Sequence, residues 1–122
     1  MNLSLFSFGH KHGPPQGADL VFDARLLPNP YWVPEFKEHN GTEPVVAAYV
    51  LDNETGREFL SLLLPWLRFC ITTAQQTDRE SLTIAIGCTG GRHRSVAVVE
   101  ELGRQLADLG PLTITHRDLT KE

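Results

Sequence analysis

The chain has 122 residues, a length typical of one folded domain, and 41% of them are hydrophobic, enough for a core without disulfide bonds. With a formal net charge of −4, the surface as a whole does not attract nucleic acid, so RNA binding would need a local basic patch. Two cysteines do not suggest a disulfide framework, and we expect no signal peptide or membrane span, which predicts a cytoplasmic protein.

The N-terminal third of the chain predicts two short strands and an irregular connection. Residues 3–8 and residues 18–25 carry the apolar residues of the two strands. A polar, glycine-bounded loop lies between them, at residues 9–15. The prolines within residues 27–34 exclude a regular helix there, because each proline removes a backbone donor and restrains the residue before it.

Two helices are predicted in the middle of the chain. Thr42-Glu43-Pro44 marks the start of a short helix that reaches Leu51, since proline is tolerated in the first turn. Thr55 and Glu58 resemble the capping box of a longer helix, which Pro65 should kink or divide. The large aromatic side chains expected to pack in the core or at an interface are Trp32, Phe59, Trp66 and Phe69.

The last third predicts a strand, a helix and a second strand. Residues 82–88 are almost uninterruptedly apolar, which favours a central strand covered on both faces. A helix should run from about Arg92 to Leu109, and Gly110-Pro111 should end it. Residues 112–116 alternate and predict an edge strand. The fold class is therefore α/β: one domain with a small, mostly parallel sheet, flanking helices and a glycine-rich strand–loop–helix junction.

The glycine-rich junction is the main candidate site. In open parallel sheets, ligands lie at the carboxyl ends of strands, where glycines and a helix N-terminus can offer backbone amides to an anion. Arg94 offers a bidentate fork and Ser95 a hydroxyl, while His93 could donate when protonated or orient a ligand when neutral. The alternative is a tight turn with solvated arginines. The predicted anion-binding residues are Cys88, Thr89, Gly90, Gly91, Arg92, His93, Arg94 and Ser95.

Other polar residues should reach the same edge of the sheet. Lys11 and His12 follow the first strand, so they could contact a second part of the ligand, such as sugar hydroxyls. Asp23, Arg25 and Asn29 could orient ligand hydroxyls, or could pair with each other and cap the turn. No histidine or cysteine shows the spacing of metal ligands, so we expect neither a metal nor a cofactor.

The same junction also fits the phosphate loop of cysteine-dependent phosphatases. Cys88 would be the thiolate nucleophile, Arg94 would hold the phosphoryl oxygens, and Ser95 would assist the leaving step. Against this, Gly87 stands where those phosphatases usually carry histidine, and no Trp-Pro-Asp segment supplies a general acid. Cys88 is more simply a small residue that closes a buried strand.

Several segments form a recognisable set along nearly the whole chain: Ser7-Phe8-Gly9, Lys11-His12-Gly13, residues 18–25, Leu27-Pro28-Asn29-Pro30, residues 82–91, His93-Arg94-Ser95 and His116-Arg117-Asp118-Leu119. This set, in this order, resembles the C-terminal domain of the RapZ/YvcJ family, with residues 1–122 as that domain. The resemblance implies a bacterial cytoplasmic domain that senses an amino-sugar phosphate or a nucleotide sugar, such as glucosamine-6-phosphate or UDP-N-acetylglucosamine. It places His12 and its neighbours in that site beside the glycine loop.

Two departures from the family limit what the resemblance implies. The chain has no Gly-x-x-x-x-Gly-Lys-[Ser/Thr] motif, so we expect a stand-alone domain without the P-loop half, and no nucleotide hydrolysis. It also lacks the basic tail of members that present small RNAs to a ribonuclease. The remaining basic patch would be Arg92-His93-Arg94 with Arg104. A separate P-loop protein, a ribonuclease or a second copy of the chain are the candidate partners.

Overall fold

The computed structural model describes residues 1–121, which form one parallel sheet and three helices. Its strands, in the order β2-β3-β1-β4 across the sheet, are β1 (Asn2–Gly9), β2 (Leu20–Asp23), β3 (Ser81–Cys88) and β4 (Leu112–His116). Its helices are α1 (Pro44–Leu51), α2 (Glu54–Gln75) and α3 (Arg94–Gln105). The predicted α/β fold is confirmed, and every strand pair is parallel.

The two central strands, β1 and β3, bring the candidate segments to one edge of the sheet. They pair along their whole length, so that Gly9 lies opposite Cys88 at the carboxyl end. Residues 84–86 are fully buried, as expected for a strand covered on both faces. The segments after Gly9 and after Cys88 therefore leave the sheet side by side, which confirms the predicted placement of the His10–His12 loop.

Two helices supply most of the core that covers the sheet. Helix α3 lies against β1, β3 and β4. Helix α2 contributes a stripe of buried residues at helical spacing, Leu63, Leu67 and Ile71. Of the four aromatic side chains expected in the core or at an interface, Phe59 packs against the core. The other three do not join it: Trp66, Phe69 and Trp32 are 51%, 57% and 76% exposed. Trp66 and Phe69 point away from that stripe and stack on each other with ring centroids 5.5 Å apart.

Helix α2 differs from its prediction at its start and in its middle. Asn53 is the N-cap, since its Oδ1 accepts a hydrogen bond from the Gly56 amide at 2.8 Å, and the helix begins at Glu54. The capping box expected at Thr55 is therefore wrong. Pro65 does not divide the helix, which is continuous from Glu54 to Gln75. The Pro65 ring lies on the exposed side, where the carbonyl that loses its helical partner can be hydrated.

Asn53 also closes the preceding helix, and this gives a first prediction. Its Nδ2 donates to the carbonyls of Tyr49 and Val50, both at 3.0 Å. We expect Asn53→Ala to lower the free energy of unfolding by about 1 to 2 kcal/mol, as for loss of an N-cap. Chemical denaturation would measure this. Asn53→Asp keeps the cap and should cost less; equal stability of Asn53→Ala and the unaltered protein would contradict the assignment.

Helix α3 is shorter than the predicted helix from Arg92 to Leu109. It begins at Arg94, because His93 has φ −115° and ψ −79° and residues 89–93 form bends. It ends at Gln105, and a separate 3₁₀ turn covers Ala107–Leu109.

Other 3₁₀ turns cover His10–His12 and Pro30–Trp32, so the proline-rich stretch holds no α-helix, as predicted. Within residues 1–121, no helix combines the length and apolar character that a membrane crossing needs.

Candidate functional site

The loop that joins β3 to α3 carries backbone amides without acceptors. The amides of Thr89, Gly90, Gly91 and Arg92 donate no hydrogen bond to any residue between 1 and 121. They lie just before His93, the N-cap of α3, so the partial positive charge of the helix N-terminus adds to theirs. This combination can bind negatively charged oxygens.

The two glycines of this loop have different surroundings. Gly91 has φ +80°, and a Cβ there would lie 2.6 Å from the Gly9 amide nitrogen and 2.9 Å from the Asp118 Cβ. Gly9 faces it in turn, since a Cβ on Gly9 would overlap the Gly90 carbonyl. A Cβ on Gly90 would meet only the Lys11 side chain, with its Cε 3.8 Å away. Packing therefore requires glycine at 9 and 91, and leaves open space beside Gly90.

The His10–His12 turn is attached to this loop. The Lys11 amide donates to the Thr89 carbonyl at 3.1 Å, and the Lys11 side chain is exposed beside Gly90. The structure thus brings Lys11 to the predicted site. His12 lies on the same turn, but its Nε2 is buried and has no hydrogen-bond partner within residues 1–121. That atom does not face solvent, and ligand contact by His12 stays a prediction.

The Arg94 side chain is buried and hydrogen-bonded to other residues of the protein. It is only 6% exposed. One terminal nitrogen donates to the Arg25 carbonyl at 2.9 Å and to the Leu27 carbonyl at 3.4 Å, and the other donates to the Thr89 hydroxyl at 3.3 Å. Arg94 therefore fixes residues 25–27 against the glycine loop. Its predicted fork for phosphate oxygens stays a prediction.

Arg92 and His93, the last two loop residues before Arg94, differ in exposure. His93 is 7% exposed, and burial lowers its pKa, with a further contribution from the nearby Arg92 cation. Its ring lies beside the backbone of residues 36–39, and its Nε2 has no partner within the described chain. Burial of His93 thus favours its neutral form. Arg92 is partly exposed and forms no ion pair within residues 1–121.

Cys88 and Ser95 form a buried pair. The Cys88 Sγ lies 3.1 Å from the Ser95 Oγ, and Cys88 is 2% exposed. A phosphatase nucleophile must reach its substrate, whereas this sulfur is covered. The geometry favours the structural reading of Cys88 as the closing residue of a buried strand.

The polar residues after β2 interact with each other. Arg25 forms a bidentate ion pair with Asp23, with its terminal nitrogen 2.8 Å from the Asp23 Oδ2. The ion pair lowers the pKa of Asp23, chiefly through this hydrogen bond. Asn29 caps the next 3₁₀ turn by accepting from the Tyr31 amide at 3.1 Å. Of the two alternatives for these residues, the observed contacts match pairing and capping; a further role in ligand contact stays a prediction.

The basic patch predicted around Arg92 is not assembled. Arg94 is buried, and Arg104 is bonded to Glu101, with its terminal nitrogen 2.8 Å from the Glu101 carboxylate. Arg104 also lies near the opposite end of α3, roughly 15 Å along the helix axis from the loop. The free cations at the loop are therefore Lys11 and Arg92 within residues 1–121.

Two clusters beside the loop contain residues that were not predicted for the site, although residues 7–9 and 116–119 belong to the segments that carry the family resemblance. Arg117 and Asp118 contact both ends of the His10–His12 turn and lie against Gly91. At the end of β4, just before Arg117, the His116 ring bridges the Ser7 hydroxyl at 2.7 Å and the Glu100 carboxylate at 3.0 Å. Ser7 is fully buried, so this serine–histidine–carboxylate chain connects β1, β4 and α3 without reaching a substrate.

The remaining features lie apart from the loop. An apolar groove of about 410 Å³ is lined by side chains of α2 and by residues in and after β2, among them Phe22, Leu26, Phe59 and Trp66. Among the described residues, no group of three or more histidine, cysteine, aspartate or glutamate side chains could hold a metal ion.

Comparison with known proteins identifies the family. A family model described as "RapZ C-terminal domain" matches residues 1–120. Three proteins called "nucleotide-binding protein" are similar to this chain: those from Saccharopolyspora erythraea, Myxococcus xanthus and Corynebacterium aurimucosum are 48%, 47% and 43% identical to it in the matched segment. These matches cover 98%, 99% and 99% of this chain but 42% of each relative, so the chain spans less than half of their length. With a match over almost every residue, the chain belongs to the RapZ C-terminal domain family.

Proposed function

We propose that this chain binds a phosphorylated amino sugar or a nucleotide sugar at the loop between β3 and α3, and that it reports the ligand to a partner instead of transforming it. The observation that carries the proposal is the run of amides from Thr89 to Arg92 that donate to no described residue. Water satisfies the amides that are exposed, and an anion that displaces this water would accept hydrogen bonds from several neighbouring amides at the start of a helix.

Two further features support an anion at this place. The exposed Lys11 and the partly exposed Arg92 lie beside the amides without carboxylate partners in the described chain, although the net charge is −4. Gly90, unlike Gly91, is not required by packing, and its missing side chain leaves room for a group between the loop and Lys11. A small phosphorylated ligand would use both features.

The ligand class rests on the family. The sequence resembles proteins that sense amino-sugar phosphates or nucleotide sugars through this domain. The relatives called "nucleotide-binding protein" are more than twice as long as the matched segment, so nucleotide binding is proposed here only for the nucleotide sugar. The buried Cys88 supports sensing over phosphatase chemistry. The partner could be a separate P-loop protein, a ribonuclease or a second copy of this chain.

Gly90→Ala provides the direct test. We expect unchanged folding, because the added Cβ meets only the Lys11 Cε at 3.8 Å, and an affinity for inorganic phosphate and glucosamine-6-phosphate lower by about tenfold, because the methyl group occupies the ligand's space. Calorimetry with these two compounds, UDP-N-acetylglucosamine and citrate would measure the affinities.

The matched control for this test is another exposed position on a different surface. Arg57→Ala removes a cation that pairs with Asp52 outside the loop, and it should leave the affinities unchanged. The proposal fails if no anion binds the unaltered protein. It also fails if Gly90→Ala binds these anions as tightly as the unaltered protein does.

A further inference from the structure

Asp118 is a fully buried carboxylate that holds the end of β1. It accepts hydrogen bonds from the Gly9 amide at 2.7 Å and from the Arg117 guanidinium at 2.8 Å, and it pairs with the Lys121 ammonium at 2.7 Å. Buried carboxylates are stable only when donors surround them, as they do here. The Gly9 bond connects the segment after β4 to the first residue before the His10–His12 turn.

Arg117 holds the other end of the same turn. Its guanidinium donates to the carbonyls of Gly13 and Pro14, both at 2.8 Å. The guanidinium also lies over the Phe8 ring, 5.5 Å from the centroid, and the Arg117 amide donates to the Ser7 carbonyl at 3.0 Å. The Arg117–Asp118 pair thus contacts the chain both immediately before and immediately after the turn that carries Lys11.

The pair also touches the glycine loop. A Cβ on Gly91 would lie 2.9 Å from the Asp118 Cβ, so that the carboxylate-bearing residue packs directly against the Gly91 backbone. The turn itself donates the Lys11 amide to the Thr89 carbonyl. The loop, the turn and the Arg117–Asp118 pair therefore form one connected unit, in which the guanidinium of Arg117 reaches the turn but makes no hydrogen bond to residues 88–95.

We infer that Arg117 and Asp118 are positioning residues that set the His10–His12 turn over the glycine loop, and that they thereby let the site distinguish a phosphorylated sugar from inorganic phosphate. This rests on the proposed function. The amides of residues 89–92 donate hydrogen bonds to the phosphate group, and Lys11 on the turn contacts the sugar to which the phosphate is attached. Because the turn is held at both ends, its backbone is already ordered, so binding through Lys11 carries only the ordering cost of the side chain.

Arg117→Ala separates these two contributions. The variant keeps residues 89–92 and their amides but frees the turn from Gly13 and Pro14. We expect the affinity for glucosamine-6-phosphate to fall about tenfold and the affinity for inorganic phosphate to change less than about twofold. Calorimetry gives both affinities, and their ratio is a readout that a general loss of stability does not change.

Lys121→Ala is the matched control. It also removes a cation bonded to Asp118, but in the described chain Lys121 forms no hydrogen bond or ion pair with the turn, so the affinity ratio should stay unchanged. If Arg117→Ala does not fold, Arg117→Lys is measured instead; its single ammonium can hold one carbonyl, and the ratio should fall about threefold.

Three results would overturn the inference. One is an equal loss of both affinities in the Arg117 variant, another is no loss of either, and the third is the same change of ratio in Lys121→Ala. These outcomes leave the proposed function standing, because the unaltered protein binds both compounds. An unaltered protein that binds neither compound would overturn the proposed function and this inference together.

Discussion

Gly91→Ala should destabilise the protein by about 4 kcal/mol. The backbone at Gly91 has φ +80°, a conformation that L-residues adopt only at a cost, and the added Cβ would approach the Gly9 nitrogen to 2.6 Å and the Phe8 carbonyl carbon to 2.9 Å. Those neighbours are backbone atoms of a central strand, which cannot move without disturbing the sheet. Backbone strain and overpacking of about 1 to 3 kcal/mol each together give this magnitude.

Chemical denaturation of Gly91→Ala beside Gly90→Ala measures this effect with an internal comparison. Gly90 is the adjacent glycine, its φ is not positive, and the nearest atom to its added Cβ is the Lys11 Cε at 3.8 Å. Its stability should therefore stay within about 0.5 kcal/mol of the unaltered protein. If the two variants were equally stable, the close contact between the loop and β1 would not exist in solution.

Asp118→Asn should lower the free energy of unfolding by about 2 to 3 kcal/mol at neutral pH. The asparagine side chain lacks the negative charge with which Asp118 pairs to both Arg117 and Lys121. Its NH₂ group also replaces one acceptor oxygen with a donor. Breaking a buried ion pair costs about 3 to 5 kcal/mol, and the partial exposure of both cations reduces that figure. Urea denaturation of the two proteins measures the difference.

The effect of Asp118→Asn should depend on pH. Burial alone would raise the pKa of Asp118, but hydrogen bonds from Arg117, the Gly9 amide and Lys121 outweigh it and hold the pKa well below its usual range. The carboxylate therefore contributes stability above the unfolded-state pKa of about 3.9, and this contribution is lost as the pH falls toward the folded-state pKa.

The asparagine does not titrate in this range, so the stability gap should be constant between about pH 6 and pH 8 and should narrow below about pH 4. Denaturation midpoints measured at a series of pH values would show the narrowing. A gap that stays constant down to pH 3 would mean that Asp118 carries no stabilising charge.

The elements of the fold were predictable where the pattern of residues was continuous. The apolar run at residues 82–88 indicated a central strand, and Glu43-Pro44 indicated the start of α1. The N-cap of α2 was misassigned because Thr55 and Glu58 match a capping box by spacing, whereas Asn53 alone can also bond the carbonyls at the end of α1. That second role depends on the angle at which the two helices meet, and the spacing of residues in the sequence does not reveal that angle.

The sequence predicted which segments meet at this edge of the sheet, but not the contacts that hold them there. Parallel strands place the His10–His12 turn beside the glycine loop, as was expected from the order of elements. The sequence could not indicate that Arg94 would bond the carbonyls of Arg25 and Leu27, because these partners lie far from it along the chain. The bond from the Gly9 amide to the Asp118 carboxylate and the bond from the Arg117 guanidinium to the Gly13 carbonyl were missed for the same reason.

The strand order has a consequence for how the protein folds. Each strand pair joins distant parts of the chain: β1 with β3, β1 with β4, and β2 with β3. No hairpin can nucleate this sheet, and the entropy of closing long loops must be overcome before any ladder forms. On the ribosome, β1 and β2 have no partner until β3 has emerged, and the hydrogen bonds that join Arg117 and Asp118 to residues 9–14 can form only after residues 117 and 118 have emerged as well.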